Sequence, residues 1–150
     1  MDFLDRINQD LKAAMKQKDQ YRLEALRAIK SELLLLKTAE GSHGEITEQQ
    51  ALKVLQKMVK QRKEAAELYK SKGRDDLAKQ ELMQAKVIEE YLPEQLSPEQ
   101  LENELKKIIE QVGATSIRDM GKVMAVATKQ FAGRADNKLI ADTVKKLLNQ

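Results

Sequence analysis

Apolar side chains recur every three or four residues along almost the whole chain, and no stretch alternates apolar with polar at a period of two. A period near 3.6 gathers side chains onto one stripe of a helix, so the expected fold class is all-α. Phe3, Ile7, Leu11, Ala14 and Met15 form the stripe of a first helix, from about Asp2 to Lys18, with Asp2 as its N-cap. A second helix runs from near Asp19 to about Glu40 with Leu23, Leu26, Ile29 or Lys30, Leu33 and Leu36 inward. Gly41-Ser42-His43-Gly44 stops it in a loop.

Thr47-Glu48-Gln49-Gln50 has the spacing of a capping box and opens a third helix that runs to about Lys72. Gly73 suits a left-handed C-terminal cap, and Asp75 or Asp76 begins a fourth helix that continues to Leu92. The second and third helices are each about 30 Å long at 1.5 Å per residue, and the expectation is that they pair as an antiparallel hairpin. Pro93 halts the fourth helix. Ser97-Pro98-Glu99-Gln100 restarts the chain with an N-cap, a proline at the first helical position and a second capping box. The fifth helix ends at Gly113. Thr115 or Ser116 caps a sixth through Phe131, Gly133 closes it, and Asp136 caps a seventh to about Leu148. The expected organisation is a long-helix N-terminal hairpin domain over 1–96 and a small three-helix domain over 97–150.

Composition removes several kinds of chemistry. The chain has no cysteine and one histidine, His43, so thiolate sites, disulfides and multi-histidine metal sites are excluded. Aromatic residues are 3% with no Trp, so the core must be aliphatic. Met1-Asp2-Phe3-Leu4-Asp5 lacks a basic segment followed by an apolar run, and no apolar run approaches a membrane span. These features lead to the expectation of a soluble cytoplasmic protein. Glu89-Glu90 and Asp75-Asp76 are adjacent pairs, which point about 100° apart on a helix rather than acting together. Lys57, Lys60, Arg62 and Lys63 are interleaved with Glu64 and Glu67 and read as a salt-bridged surface. No serine–histidine–carboxylate set can be assembled and no cofactor pattern is present, so no catalytic residue is assigned.

Two places break the helical rules. Gly121 lies in the pattern of the sixth helix, where glycine costs about 1 kcal/mol relative to alanine. Such a glycine marks close backbone approach, by a neighbouring helix or by a ligand. Gly133-Arg134-Ala135-Asp136-Asn137-Lys138 reads as a helix–turn–helix connection, or as an anion site where Arg134 and Lys138 flank a helix start. From Gly113 to Gln150 there are seven basic and three acidic residues, a net +4 against +3 for the whole chain. Arg118, Lys122, Lys129, Arg134 and Lys138 supply most of this excess. A basic helical face without aromatics suits phosphates and sugars and reads shape rather than base sequence.

Several stretches resemble the GatB/YqeY family, whose members are similar to the C-terminal tail domain of the B subunit of glutamine-dependent aspartyl/glutamyl-tRNA amidotransferase. They include Leu26-Arg27-Ala28-Ile29-Lys30-Ser31-Glu32, Tyr69-Lys70-Ser71-Lys72-Gly73-Arg74-Asp75-Asp76-Leu77, Tyr91-Leu92-Pro93-Glu94-Gln95-Leu96, Met120-Gly121-Lys122-Val123-Met124 and Gly133-Arg134-Ala135-Asp136. The resemblance implies an all-helical two-part chain and a module that engages tRNA or another structured RNA. Gly121, Lys122, Gly133 and Arg134 are the transferred contact candidates, and Arg118, Lys129 and Lys138 join them by charge. The family label of carbon–nitrogen ligase with glutamine as amido donor finds no residues here able to perform that reaction unaided. The second reading is a helical protein-interaction scaffold or accessory subunit, self-associating or holding a partner through its long N-terminal helices.

Overall fold

The computed structural model describes residues 2–39 and 44–149. The expected loop at Gly41, Ser42 and His43, with its lone histidine, lies outside the described residues. Among those described there are seven α-helices and no strand. None of the helices is long and apolar enough to cross a membrane.

The first four helices are α1 (Phe3–Gln17), α2 (Gln20–Thr38), α3 (Glu48–Ser71) and α4 (Asp75–Glu89). The starts of α1, α2 and α3 are set by short polar side chains that accept otherwise orphaned N–H groups, whereas α4 follows Arg74 with no side-chain cap. Asp2 Oδ1 accepts from Asp5 N at 2.8 Å, and Asp19 Oδ1 accepts from Arg22 N at 3.1 Å. Thr47 and Gln50 cap reciprocally: Gln50 N donates to Thr47 Oγ1 at 3.1 Å and Thr47 N to Gln50 Oε1 at 3.0 Å. Between α1 and α2, Lys18 takes the left-handed conformation at φ 56°, which lets Asp19 cap the next helix at once.

The pairing of helices differs from the expected α2–α3 hairpin. α3 packs chiefly against α4, and α2 packs against α1 and α4. The reason is the connector. Only Lys72, Gly73 and Arg74 separate α3 from α4, with Gly73 left-handed at φ 73°, so the two must fold back on each other. The longer connection from 39 to 47 imposes no such pairing on α2 and α3. Ile7, Leu26, Ile29, Leu33, Leu55 and Ile88 are fully buried in the shared core. Met15, expected on the inward stripe, is 57% exposed. Ile7 and Ala14, seven residues apart, define the buried face of α1, and Met15 lies 100° beyond it.

α4 ends at Glu89 rather than Leu92, and the turn that follows buries Tyr91. The Tyr91 hydroxyl donates to Asp10 Oδ2 of α1, and the Arg6 guanidinium lies 4.6 Å from the centre of its ring. Next to it, Glu90 pairs with Arg22 of α2 at 2.7 Å. Two successive residues thus tie the exit of α4 to α1 and α2. Burial pushes the Tyr91 hydroxyl well up, and the Asp10 carboxylate adds to the shift, so the hydroxyl stays a donor.

The chain divides into two compact units, Met1–Leu92 and Pro93–Gln150. Residues 93–96, placed by sequence with the first part, pack with the second. Leu96 N donates to Arg134 O at 2.9 Å, and the Leu96 side chain joins the second core. That unit holds α5 (Pro98–Val112), one 3₁₀ turn (Ile117–Asp119), α6 (Met120–Gln130) and α7 (Asn137–Leu148). Ser97 and Gln100 cap α5 reciprocally, at 3.1 and 2.9 Å. Leu101, Leu105 and Ile108 of α5 meet Val123, Ala127 and Phe131, and Ile140, Val144 and Leu148 of α7. Each set is spaced at one turn, so each helix buries one stripe.

Tyr91→Phe should keep the ring buried and lose only the bond to a carboxylate. Such bonds contribute about 1.5–3 kcal/mol, and the half-buried Asp10 would then lack its partner. The expected outcome is an earlier urea transition of the first unit, with Glu90→Ala costing less, about 0–1 kcal/mol, because that pair is exposed.

Candidate nucleic-acid interface

The N-terminus of α6 is built by three short polar residues. Gly113, left-handed at φ 70°, ends α5. Ser116 Oγ then accepts from Arg118 N at 3.3 Å, and Asp119 Oδ2 accepts from Thr115 N at 2.9 Å. The Thr115 N–H holds the Asp119 carboxyl below its ordinary value of 3.8, and the charge of Lys122 contributes further. This closed turn replaces the start of the sixth helix expected at Thr115 or Ser116, and leaves Arg118 exposed on it.

Gly121 is the second residue of α6 and is exposed. A Cβ built there would meet nothing within 4 Å. A helix crossing tightly over Gly121 is therefore absent, and its φ is not in the left-handed range. No packing contact among the described residues requires glycine at this position.

One face of α6 carries the core and the other carries charge. Val123 and Ala127 are buried, with Met120 and Met124 partly buried beside them. At 100° per residue, Lys122 and Lys129 fall within about 20° of each other on the opposite face, about 10.5 Å apart along the axis. Ala125 and Val126 lie between them, both exposed. Arg118, Lys122, Lys129 and Lys138 take part in no ion pair among the described residues. Elsewhere in this unit Lys106 and Lys146 lie 3.8 and 3.9 Å from Glu102, and Lys107 lies 3.3 Å from Glu104. Lys106 and Lys107 on α5 and Lys146 on α7 are partly neutralised by the glutamates of α5; on α6, Lys122 feels the charge of Asp119 without a close ion pair, and Lys129 takes part in no ion pair among the described residues.

The Gly133-Arg134 turn has a different character. Gly133 is left-handed at φ 77° and buried. Its carbonyl accepts from Gln95 Nε2 at 2.5 Å, and Arg134 Nε donates to Glu94 O at 3.1 Å. These two residues clasp the segment 93–96. Gly133 therefore gives no open backbone to a ligand, while Arg134 is a half-buried cation already held by a carbonyl. Asp136 Oδ1 accepts from Lys138 N at 3.5 Å, leaving the Lys138 side chain exposed at the start of α7.

Of the seven candidates, helix geometry brings Gly121, Lys122 and Lys129 to the solvent side of α6; Arg118 precedes them, and Arg134 and Lys138 follow in the next turn. The sequence reading missed Ala125 and Val126, although their spacing from Lys122, three and four residues on, was the available signal. It also missed Glu94 and Gln95, whose contacts span about forty residues and leave no local signature. No cluster of three His, Asp or Glu side chains that would hold a metal occurs among the described residues.

The two glycines should respond oppositely to alanine. Gly133→Ala forces a left-handed Cβ, at about 1–2 kcal/mol, and should speed amide exchange in α6 and α7. Gly121→Ala should slow that exchange slightly, since alanine favours the helix and meets no obstacle. The Asp119 carboxyl is depressed in the folded chain, so its stabilisation is present above its ordinary value and is lost as pH falls through the folded one. Protection of the Thr115 amide should differ between wild type and Asp119→Asn at neutral pH, and the difference should close in acid below the usual carboxylate range.

The Yqey-like protein family matches residues 4–148 of the chain. Three relatives are each named Altered inheritance of mitochondria protein 41, mitochondrial. That of Meyerozyma guilliermondii is 36% identical over 111 residues, covering 73% of this chain and 57% of the relative. That of Clavispora lusitaniae is 37% identical over 89 residues, covering 59% and 51% respectively. That of Pyrenophora tritici-repentis is 28% identical over 149 residues, covering 97% and 80%. The chain thus spans little more than half the length of the first two. Their names overturn the expectation of a cytoplasmic protein, because all three are mitochondrial. With nearly its whole length matched and an all-helical fold, the chain belongs to the YqeY-like family, the stand-alone relatives of the amidotransferase B-subunit tail.

Proposed function

We propose that the chain is a non-catalytic tRNA-associated binding module, similar in role to the tail domain of the amidotransferase B subunit, with the solvent face of α6 as its contact surface. The observation that carries this reading is the pair of unpaired lysines, Lys122 and Lys129, on one face with exposed Gly121, Ala125 and Val126. Unpaired lysines contact phosphates without first breaking an ion pair. The small residues let the helix backbone approach a sugar–phosphate chain closely. Phe131, the single aromatic of the second unit, is 1% exposed, so that unit has no platform for stacking unpaired bases. A backbone-reading surface for structured RNA fits this composition. The amido-transfer label of the wider family belongs, in this reading, to a catalytic partner that the module would serve.

A scaffold reading draws on exposed apolar side chains of the first unit, with Leu35 at 62% and Leu68 at 56%. It places the working surface on the long helices and predicts capture of a protein partner with no dependence on α6.

Binding of the full chain to bulk tRNA across salt separates the two. Each phosphate neutralised contributes a slope of about 0.7–0.9 in log affinity against log salt. Lys122→Ala/Lys129→Ala should lower the slope by about 1–2 and weaken binding at least tenfold at low salt. Gly121→Leu should leave the fold intact and weaken binding by bulk alone. Arg134→Ala is a poor probe, because it also releases Glu94. Salt-insensitive binding, or binding indifferent to the α6 variants, would sink the proposal and favour the scaffold.

A further inference from the structure

The stretch Tyr91-Leu92-Pro93-Glu94-Gln95-Leu96 has no part in the α6 surface, yet its backbone is bonded at both ends. On the side of the first unit, Tyr91 N donates to Ile88 O and Leu92 N to Glu89 O, each at 3.0 Å, so the chain leaves α4 in a tight turn. The Tyr91 side chain is buried and Leu92 packs against the first core. On the side of the second unit, Leu96 N donates to Arg134 O at 2.9 Å, and Arg134 Nε donates to Glu94 O at 3.1 Å. The Leu96 side chain belongs to the second core. Gln95 closes the remaining gap. Its amide nitrogen carries two hydrogens, and it donates to Pro93 O at 2.9 Å and to Gly133 O at 2.5 Å. One side chain thus pins the Pro93 carbonyl to the buried turn of the second unit.

Peptide bonds are planar, so only φ and ψ can turn along this stretch. Leu92 φ is held by its bonded N–H and its packed side chain. Pro93 φ is held near about −65° by the ring. Between the last group fixed by the first unit and the first group fixed by the second, the soft torsions are Leu92 ψ and Pro93 ψ. A residue before proline is confined to ψ of about +120 to +160°, which stiffens the first of these. Units joined by a free linker move independently by default. This connection has the opposite construction.

We infer that the segment from Leu92 to Leu96 is a stiff coupler, with the Gln95 amide as its pin, which transmits rotation of one unit to the other. Pro93 limits the torsions that could turn, and Gln95 holds the carbonyl that would otherwise swing. The coupler is a property of the connection and does not depend on the RNA-binding reading.

The test is nitrogen-15 relaxation of backbone amides in the full chain without RNA, which reads an overall correlation time for each unit separately. Wild type is compared with Gln95→Ala, with Pro93→Gly, and with a protein carrying a flexible Gly-Ser-Gly-Ser insertion between Leu92 and Pro93. The expected result is one correlation time shared by α1–α4 and α5–α7 in wild type. The insertion should give two shorter times, with the smaller second unit tumbling faster. Gln95→Ala and Pro93→Gly should each shift the second unit from the shared value toward that of the insertion. Amide chemical shifts of α5–α7 check that the second unit stays folded in Gln95→Ala. Should it unfold, Pro93→Gly decides alone, because that change removes none of the Gln95 bonds. Separate times in wild type overturn the inference. A shared time in the insertion protein also overturns it, since the coupling then does not run through this segment. A folded Gln95→Ala that keeps the wild-type value overturns the pin, and with it the coupler as described.

Discussion

The first unit depends on α4 being covered from two sides. Its inward positions Ala78 and Ala85 are small and seven residues apart, and Ile88 closes the stripe. Small side chains let neighbouring helices come near without opening voids, and the large aliphatic groups of α2 and α3 fill the space between. None of these helices can stand alone in water, because their stability comes from one buried stripe. With aromatics scarce, that burial rests on leucine and isoleucine, so alignment of the stripes carries the fold. The bond from Tyr91 to Asp10 then fixes the end of α4, at the last turn before the chain passes to the second unit.

Both units use charge in the same way. Where a cation faces another helix, it is paired or hydrogen-bonded, as Arg22, Arg62, Lys63 and Lys146 are. On the solvent side of α6, Lys122 and Lys129 take part in no ion pair among the described residues. The pairs are mostly exposed and contribute little to stability. Their larger effect is to occupy cations elsewhere while Lys122 and Lys129 stay open on α6, the face on which the proposed function rests.

Gly121 and Gly133 show how far local sequence reaches. Both break a helical pattern and both were candidates for close approach. Gly133 is explained wholly by the fold: a left-handed turn, a buried backbone and a carbonyl bonded to Gln95. No contact among the described residues explains Gly121, since the space over it is open. Gly121, read as a close approach by a helix or a ligand, is exposed, and Gly133, read as a turn or part of an anion site, is packed. The difference lies in which segment returns to each position, and segment 93–96 comes from nearly forty residues away.

Amino-acid order alone determined the all-helical class and the capped starts of α1, α2, α3 and α5. Those features depend on interactions three or four residues apart: Thr47 with Gln50, Ser97 with Gln100, and the 3.6-residue period of the stripes. Only the tertiary structure decided that α3 pairs with α4, that Met15 faces water, that Arg134 is held by Glu94, and which lysines lack a partner. Each of those outcomes is set by long-range packing, where a connector of three residues or one of nine selects the neighbour. A charged side chain's role follows from that neighbour, and its own sequence surroundings do not encode it.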